Sequence, residues 1–135
     1  MSEFVVFDTS VLIDHLRTDC HAQRIAALTR IVRTSSVVLS ELWRGATQAA
    51  EREYLRMLEA GLPILTPTEK NWLESGRILA EIHGDQGFEP HKLRDLHFDV
   101  LIALTARTYG ACLITSNRAD FELIRDYREF KLEVW

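Results

Sequence analysis

The sequence has no long hydrophobic run and little cysteine, and each scarcity excludes a class of protein. A helix that spans a bilayer needs about 20 mostly apolar residues, and no run here approaches that length. Two cysteines without motif spacing, Cys20 and Cys112, are too few for a disulfide scaffold and are expected to be free thiols. The start of the chain also lacks a basic region followed by an apolar stretch. We therefore expect a cytoplasmic protein without a membrane segment.

The chain has no excess of basic residues and no histidine motif of a zinc enzyme. Its net charge of -4 argues against a general nucleic-acid coat protein, which would be basic. The charge is compatible with a nuclease that carries an acidic metal site, because bound divalent cations would offset it. No two histidines have the spacing of the H-x-x-x-H or H-E-x-x-H zinc motifs. At 135 residues, without a linker or repeat, the chain is expected to form one domain over residues 1–135.

The most informative stretch is near the start, where a carboxylate lies between two apolar runs. Phe4 to Phe7 predicts a short buried strand, and the hydroxyls of Thr9 and Ser10 predict the N-cap of a following helix. Asp8 would then lie where the strand ends, at the edge of an α/β sheet where ligands bind. A carboxylate is costly to bury without a partner, and a metal ion is the simplest partner. The alternative that Asp8 is only a helix cap stays open.

A similar pattern of apolar run, hydroxyl and acid recurs at residues 37–41. Val37 to Leu39 predicts a second strand, with Ser40 as the N-cap of a helix that Glu41 enters and that continues to Gly61. An acid in the first turn is also explained by the helix dipole alone. A helix before this strand is predicted from apolar residues at helical spacing, namely Ile25, Leu28, Ile31 and Val32.

Leu96 to Ala106 is apolar on nearly every face, which predicts a central buried helix with Asp99 in its first turns. Asp99 shares a helix face with Ile102, Ala103 and Ala106, so it is hard to explain as a solvated surface acid. Other predicted elements are an extended stretch over 62–67, a helix from Thr68 to Gly84, a loop over 84–90, a strand over 111–115 followed by Asn117 and Asp120, and a C-terminal edge strand over 131–135.

Alternating strands and helices predict a three-layer α/β/α sandwich with a mainly parallel central sheet. The carboxyl ends of parallel strands form one rim. Asp8 and Asp120 fall beside strand ends, while Glu41 and Asp99 begin helices near that rim. Four acids at four corresponding places favour a metal site over four unrelated structural roles.

Four segments, in order and spacing, resemble the PIN-domain ribonucleases, and most closely the VapC toxins of bacterial toxin–antitoxin pairs. They are residues 7–14, 40–45, 98–106 and 114–121. The resemblance implies a Mg²⁺- or Mn²⁺-dependent endoribonuclease that cleaves RNA, is inhibited by a cognate antitoxin and is usually a homodimer. Asp8, Glu41 and Asp99 match the family's three near-universal acids. Asp120 is the remaining carboxylate of the fourth position, since the other polar site is Asn117.

The resemblance and the residue types together give a hypothesis for the site. Asp8, Asp99 and Asp120 hold the metal, and Glu41 orients and deprotonates the attacking water. Asn117 ligates a water or contacts a phosphate, and Thr9 supplies the hydroxyl that the family favours after the first acid. Rim arginines are candidates for phosphate contacts: Arg17, Arg24, Arg44 and Arg118. Asp14 is interpreted as helix surface and Asp95 as an N-cap.

Three alternatives remain. A haloacid-dehalogenase type phosphatase needs a second Asp two residues after the first, where this chain has Ser10. A PIN-like binding module without catalysis would have lost its acids, and a DNA- or structure-specific nuclease usually carries extra helices or domains.

An antitoxin helix could dock in a groove formed by residues that could equally be core: Trp43, Ala46, Ala49, Ala50, Tyr54, Leu55 and Leu58.

Overall fold

The computed structural model describes residues 4–135, which fold into a parallel sheet flanked by helices. The strands are β1 (Phe4–Phe7), β2 (Ile31–Ser35), β3 (Ile64–Leu65), β4 (Cys112–Thr115) and β5 (Leu132–Val134). The helices are α1 (Thr9–Thr18), α2 (Ala22–Ala26), α3 (Ser36–Gly45), α4 (Ala49–Gly61), α5 (Glu69–Gln86), α6 (Pro90–Thr108) and α7 (Arg118–Tyr127). This architecture confirms the predicted α/β class. Residues 1–3 of the domain predicted over 1–135 lie outside the described residues.

The strand order, β3-β2-β1-β4-β5, places the site of interest at the centre of the sheet. The chain adds β2 and β3 on one side of β1 and then crosses to add β4 and β5 on the other side. All neighbouring strands pair in parallel. The order therefore reverses between β1 and β4, and ligands of such sheets bind outside the carboxyl ends of the strands at this switch point. Asp8 immediately follows β1, and its N–H still pairs with Ile114 O at 2.8 Å.

The prediction of the second strand at Val37–Leu39, with Ser40 as an N-cap, was wrong. The strand is β2, five residues long, and α3 starts directly after it. Ser35 is the N-cap, and its Oγ accepts a hydrogen bond from Val37 N at 3.2 Å. A short apolar run cannot be distinguished from a buried helix segment by its pattern, and Val37, Val38 and Leu39 are the buried start of α3. Glu41 consequently lies in the body of α3 and not in its first turn.

The helix that carries Asp99 begins earlier than expected. The stretch over 84–90 is not all loop, because α5 continues to Gln86 and α6 starts at Pro90. Proline is compatible with the first turn of a helix, where its missing N–H would have no partner. Asp99 is therefore in the middle of α6, and Asp95 is an exposed residue of the same helix rather than its N-cap, which is Glu89. The central burial of this helix is confirmed, since every residue from Val100 to Ala106 is buried.

Several local predictions are confirmed. The first strand, the start of α5 next to Thr68 and the C-terminal edge strand lie where the sequence placed them. Cys20 and Cys112 are free thiols. The prediction of a helix over 25–32 was wrong, because α2 is short and Ile31 and Val32 belong to β2. Within residues 4–135, no helix has both the length and the apolar character needed to cross a membrane.

Candidate active site

Asp8 is the most buried acid of the rim and is held by two hydroxyl groups. Only 3% of the surface of Asp8 is exposed to solvent. Ser10 Oγ and Thr115 Oγ1 donate to Asp8 Oδ2 at 2.7 and 2.8 Å. Burial raises the pKa of the carboxyl group, and these two hydrogen bonds oppose the shift. Asp8 rather than Thr9 or Ser10 occupies the N-cap position of α1, yet its side chain makes no capping hydrogen bond. The backbone N–H groups of Thr9 and Ser10 also lower its pKa, so the start of α1 contributes to the environment of Asp8 together with the two hydroxyl groups.

Glu41 reaches the same rim from α3. Its Oε1 accepts a hydrogen bond from Thr9 Oγ1 at 3.0 Å, which ties α3 to the first residue of α1. Burial raises the pKa of Glu41, the charge of Asp8 raises it further, and Arg44 opposes the shift. The predicted hydroxyl after the first acid thus contacts Glu41 and not Asp8.

Asp99 lies among the other three acids. Burial is the largest cause that raises the pKa of its carboxyl group, to about 8, and the charges of Asp8, Glu41 and Asp120 add to the shift. Lys92 is the cation that opposes it. Asp99 is thus within electrostatic reach of each of the other three carboxylates, and their repulsion favours a neutral Asp99 until a cation compensates the charge.

Each carboxylate oxygen of Asp120 has one side-chain partner. Lys92 Nζ lies 2.9 Å from Oδ1, and Asn117 Nδ2 donates to Oδ2 at 3.1 Å. Asn117 is the N-cap of α7, and its Oδ1 accepts from the backbone N–H of Asp120 at 3.4 Å. Asn117 therefore orients the fourth acid, a role that its amide can fill without adding charge.

Hydroxyl groups join the ends of β1 and β4 beneath the acids. Ser10 Oγ accepts from Ser116 N at 3.1 Å, and Thr115 Oγ1 accepts from Asn117 N at 2.9 Å. Each of these hydroxyls thus donates to Asp8 while it accepts from a backbone N–H of the β4–α7 turn. The network fixes Asp8 relative to the segment that carries Asp120.

The four acids surround one rim without forming a tight cluster. Within residues 4–135, the group of three potential ligand atoms that all lie within 4.8 Å of one another belongs to Asp14, Cys20 and His21 instead. Carboxylates repel one another, and Lys92 and Arg44 offset only part of their charge, so a wider spacing is expected before a cation binds. The donor set consists of hard oxygen atoms with excess negative charge, which fits Mg²⁺ or Mn²⁺.

The predicted arginines divide into two groups. Arg44, which also lies over the Phe98 ring at 5.4 Å, acts on the charge of Glu41. Arg17 lines a cleft that also contains Glu41. Arg24 instead lies over the Trp135 ring at 5.5 Å, and Arg118 pairs with Glu122 at 2.9 Å on the surface of α7. Arg44 and Arg17 are therefore the better candidates for contact with a substrate phosphate.

Comparison with known proteins agrees with this architecture. A family model described as PIN domain matches residues 5–126. The chain belongs to the PIN domain family. A search of the curated proteins finds no match.

Solved structures with the same fold come from VapBC complexes. VapBC-1 from nontypeable Haemophilus influenzae is 25% identical, with a TM-score of 0.71 and 98% of each chain covered. The DNA-bound VapBC from Salmonella typhimurium is 26% identical, with a TM-score of 0.69 over 100% of this chain and 99% of that chain. VapBC2 from Rickettsia felis, bound to a DNA fragment from their promoter, shares the fold at 21% identity, with a TM-score of 0.74 over 98% of each chain. The resemblance to VapC-like PIN toxins is thereby confirmed.

Three side chains of this PIN domain site were missed by sequence reasoning. Ser10 was considered only as a helix cap, and Thr115 and Lys92 were not singled out. A hydroxyl at the end of each of the two strands that flank the switch point was the available signal for Ser10 and Thr115. Lys92 carried no signal, because its position depends on α6 starting at Pro90.

Thr115→Val should weaken the PIN domain's activity by loosening Asp8. The variant keeps the side-chain volume but removes one donor to Asp8 and the acceptor of Asn117 N–H. Loss of such a supporting group typically costs roughly 10–100-fold in activity or metal affinity, and we expect that loss in Mn²⁺-dependent turnover. Thr34→Val is the matched control, because Thr34 is 3% exposed and its hydroxyl has no hydrogen-bond partner within the described chain. Equal activities of the two variants would contradict this role.

Lys92→Gln should tighten the binding of divalent cations by a few-fold. Lys92 competes for Asp120, and its removal leaves the rim more negative. The effect is modest because the Lys92 side chain is 38% exposed and solvent screens the pair. Calorimetric titration with Mn²⁺ measures the change, with Lys70→Gln on the exposed surface of α5 as the control. Unchanged or weaker binding in Lys92→Gln would show that Lys92 does not compete.

Proposed function

We propose that this PIN domain is a metal-dependent endoribonuclease and the toxin of a toxin–antitoxin pair. The observation that carries the proposal is the position of Asp99 at the switch-point rim beside three other acids, where burial and their charges raise its pKa to about 8. An arrangement that concentrates like charges at a binding rim costs stability, and such costs are typical of functional sites. Membership of the PIN domain family supports hydrolysis of phosphodiesters as the function.

The acids would hold Mg²⁺ or Mn²⁺ as oxygen ligands, with Asp8, Asp99 and Asp120 as the principal set and Glu41 directly or through water. A bound divalent cation lowers the pKa of water and neutralises charge that develops on phosphate oxygens. The protein fixes the geometry of this set through Ser10 and Thr115, which leave Asp8 little freedom.

Glu41 is the best candidate for the general base. Its pKa is raised by burial, and a general base works best when its pKa approaches the operating pH. Thr9 holds one carboxylate oxygen, Oε1, so the other can accept a proton from the attacking water. In-line displacement would leave a 5′-phosphate and a 3′-hydroxyl on the products.

An antitoxin is the proposed protein partner. The solved neighbours are VapBC complexes, and one further neighbour is a toxin–antitoxin complex from Klebsiella pneumoniae. The groove predicted from α3 and α4 is only partly available, because Ala46 and Leu55 are core residues, while Ala49 and Ala50 are exposed. A cleft between α1, α3 and α4 reaches Glu41 and is lined by apolar residues such as Ile13, Leu16 and Leu42. An antitoxin segment in this cleft could extend an Arg to the acids.

The family resemblance also supports a cytoplasmic homodimer. Trp72 and Leu73 on α5 are 51% and 58% exposed, and such large apolar side chains are candidates for a contact between copies. Multi-angle light scattering of Trp72→Arg beside the wild type tests this contact. A change from dimer in the wild type to monomer in the variant would support it, and a variant that stays dimeric would contradict it.

Cleavage of a mixed, structured RNA pool with Mg²⁺ or Mn²⁺ tests the nuclease activity. We expect discrete cuts with 5′-phosphate ends that disappear in EDTA, and no cuts in single- or double-stranded DNA of the same sequences. Cleavage of DNA instead of RNA would support the DNA nuclease alternative. Absence of any cuts by a metal-loaded protein would support a binding module.

A further inference from the structure

A second group of ligating side chains lies away from the four acids, at the end of α1. Asp14, Cys20 and His21 place one potential ligand atom each within 4.8 Å of the other two. They are a carboxylate, a thiol and an imidazole, so the group is not another acidic cluster. Cys20 is exposed and His21 is buried, with 7% of its surface accessible. The group is therefore anchored on one side and open to solvent on the other.

The separation of the Asp14 and His21 atoms suits two ligands of one metal ion better than a hydrogen bond. His21 Nε2 lies 3.6 Å from Asp14 Oδ2, which is longer than a good hydrogen bond. Ligands at 2.0–2.3 Å from a tetrahedral ion are separated from one another by about 3.3–3.8 Å. The observed separation falls in that range.

Local structure holds the three residues in place. Asp19, at the end of α1, adopts a left-handed conformation with φ of 54°, and its N–H bonds to His15 O at 3.1 Å. The chain therefore turns back sharply and brings Cys20 and His21 against the last turns of the helix that carries Asp14. The His21 ring also packs against Trp135, with ring centroids 5.6 Å apart. The imidazole is thus oriented by packing rather than left to rotate freely.

The donor set selects a class of metal. Thiolate and imidazole are ligands of Zn²⁺ and related transition metals, whereas Mg²⁺ prefers oxygen ligands. A thiolate and a carboxylate would together neutralise a divalent ion, and a neutral imidazole would add the third protein ligand. Three protein ligands leave one position of a tetrahedral ion for water or another ligand.

We propose that Asp14, Cys20 and His21 form a second metal site, for Zn²⁺ or a similar transition-metal ion, separate from the carboxylate rim. The two sites are neighbours, because Ser116 Oγ lies 3.4 Å from His21 Nε2 and Ser116 N donates to Ser10, which holds Asp8. Zn²⁺ at this position would tie the turn between α1 and α2 to α1 and lie next to the support of Asp8.

Co²⁺ titration of the metal-free protein tests the proposal, because a Co²⁺–thiolate bond gives a charge-transfer absorption that oxygen ligands do not produce. We expect one equivalent of Co²⁺ to produce this band and Zn²⁺ to displace it. Cys20→Ala should abolish the band. His21→Gln and Asp14→Asn should each weaken binding by more than the roughly 10–100-fold that loss of a supporting group outside the ligand set causes.

Two control variants establish whether the band arises from Cys20 and its neighbours. Cys112→Ala removes the buried cysteine and should leave the band intact, as should Asp8→Asn at the carboxylate rim. A band that persists in Cys20→Ala, or that disappears in Asp8→Asn, would overturn the proposal, and so would the absence of any thiolate band in the wild type. Since RNA cleavage is not the readout, failure of the nuclease proposal would leave this test unaffected.

Discussion

Asp99→Asn should stabilise the metal-free protein at pH 8 and abolish its nuclease activity. The wild-type carboxylate is surrounded by three other acids, whereas an amide has almost the same shape and carries no charge. The same change removes a proposed metal ligand. We therefore expect turnover to fall by at least about a thousandfold, which is the usual effect of removing a central catalytic group. A variant that is more stable and inactive is the signature of a site built at the expense of stability.

The pH dependence of this effect follows from the raised pKa of Asp99. Its pKa is about 8 in the folded protein against 3.8 in the unfolded chain, so the folded state binds the extra proton between these values. The free energy of unfolding therefore falls as the pH rises from about 4 to about 8. The full shift sets a ceiling of roughly 6 kcal/mol, and relaxation and solvent at the rim reduce the expected effect to about 1–3 kcal/mol.

Thermal unfolding in EDTA at pH 5 and pH 8 measures this prediction. At pH 8 we expect the melting temperature of Asp99→Asn to exceed that of the wild type by about 3–10 °C. At pH 5 the difference should be much smaller, because the free energy of unfolding has by then fallen over only about one of the roughly four pH units that separate the two pKa values. Asp126→Asn, which changes an exposed acid on α7, is the control and should behave as the wild type at both pH values. A variant that is less stable than the wild type at pH 8 would contradict the electrostatic account of the rim.

Asp8→Asn should also abolish cleavage, while the protein stays folded. Asp8 Oδ2 accepts the hydrogen bonds from both Ser10 and Thr115. An asparagine with its carbonyl oxygen in that position keeps both bonds, and its amide group then replaces Oδ1, which would be the oxygen that binds the metal. We expect loss of RNA cleavage by about three orders of magnitude or more with an unchanged far-ultraviolet circular dichroism spectrum.

Asp8→Ala provides a contrasting variant. It leaves two buried hydroxyls without their acceptor, so it should lose about 1–3 kcal/mol of stability in addition to activity. Urea unfolding separates the two variants. RNA cleavage by Asp8→Asn at the wild-type rate would show that the nuclease reaction does not depend on this acid.

The sequence predicted the class of the fold and placed Asp8 and Asp120 beside strand ends, because both depend on local patterns. Strands end at Asp8 and near Asn117, and parallel strands bring their carboxyl ends to one side. The boundaries that failed are those where neighbouring residues compete. Val37–Leu39 has the composition of a strand, but the hydroxyl of Ser35 caps a helix there, and Pro90 begins a helix instead of interrupting one.

Contacts made across the fold could not be predicted from the sequence. Lys92 meets Asp120 only because α6 starts more than one and a half turns before it was expected to. Cys20 and His21 have no spacing that is typical of a metal motif, and they reach Asp14 only through the left-handed turn at Asp19. Such arrangements depend on the course of the backbone rather than on the order of residue types.

Calorimetric titration of Mn²⁺ into the wild type and single variants of the four acids tests the central claim most directly. We predict saturable binding to the wild type at pH 7.5, and binding at least about tenfold weaker in Asp8→Asn, Asp99→Asn and Asp120→Asn. Glu41→Gln should weaken it less if this residue acts through water. Asp126→Asn and Cys20→Ala should bind as the wild type does. Equal affinities for the wild type and for the Asp8 and Asp99 variants would contradict a shared carboxylate metal site.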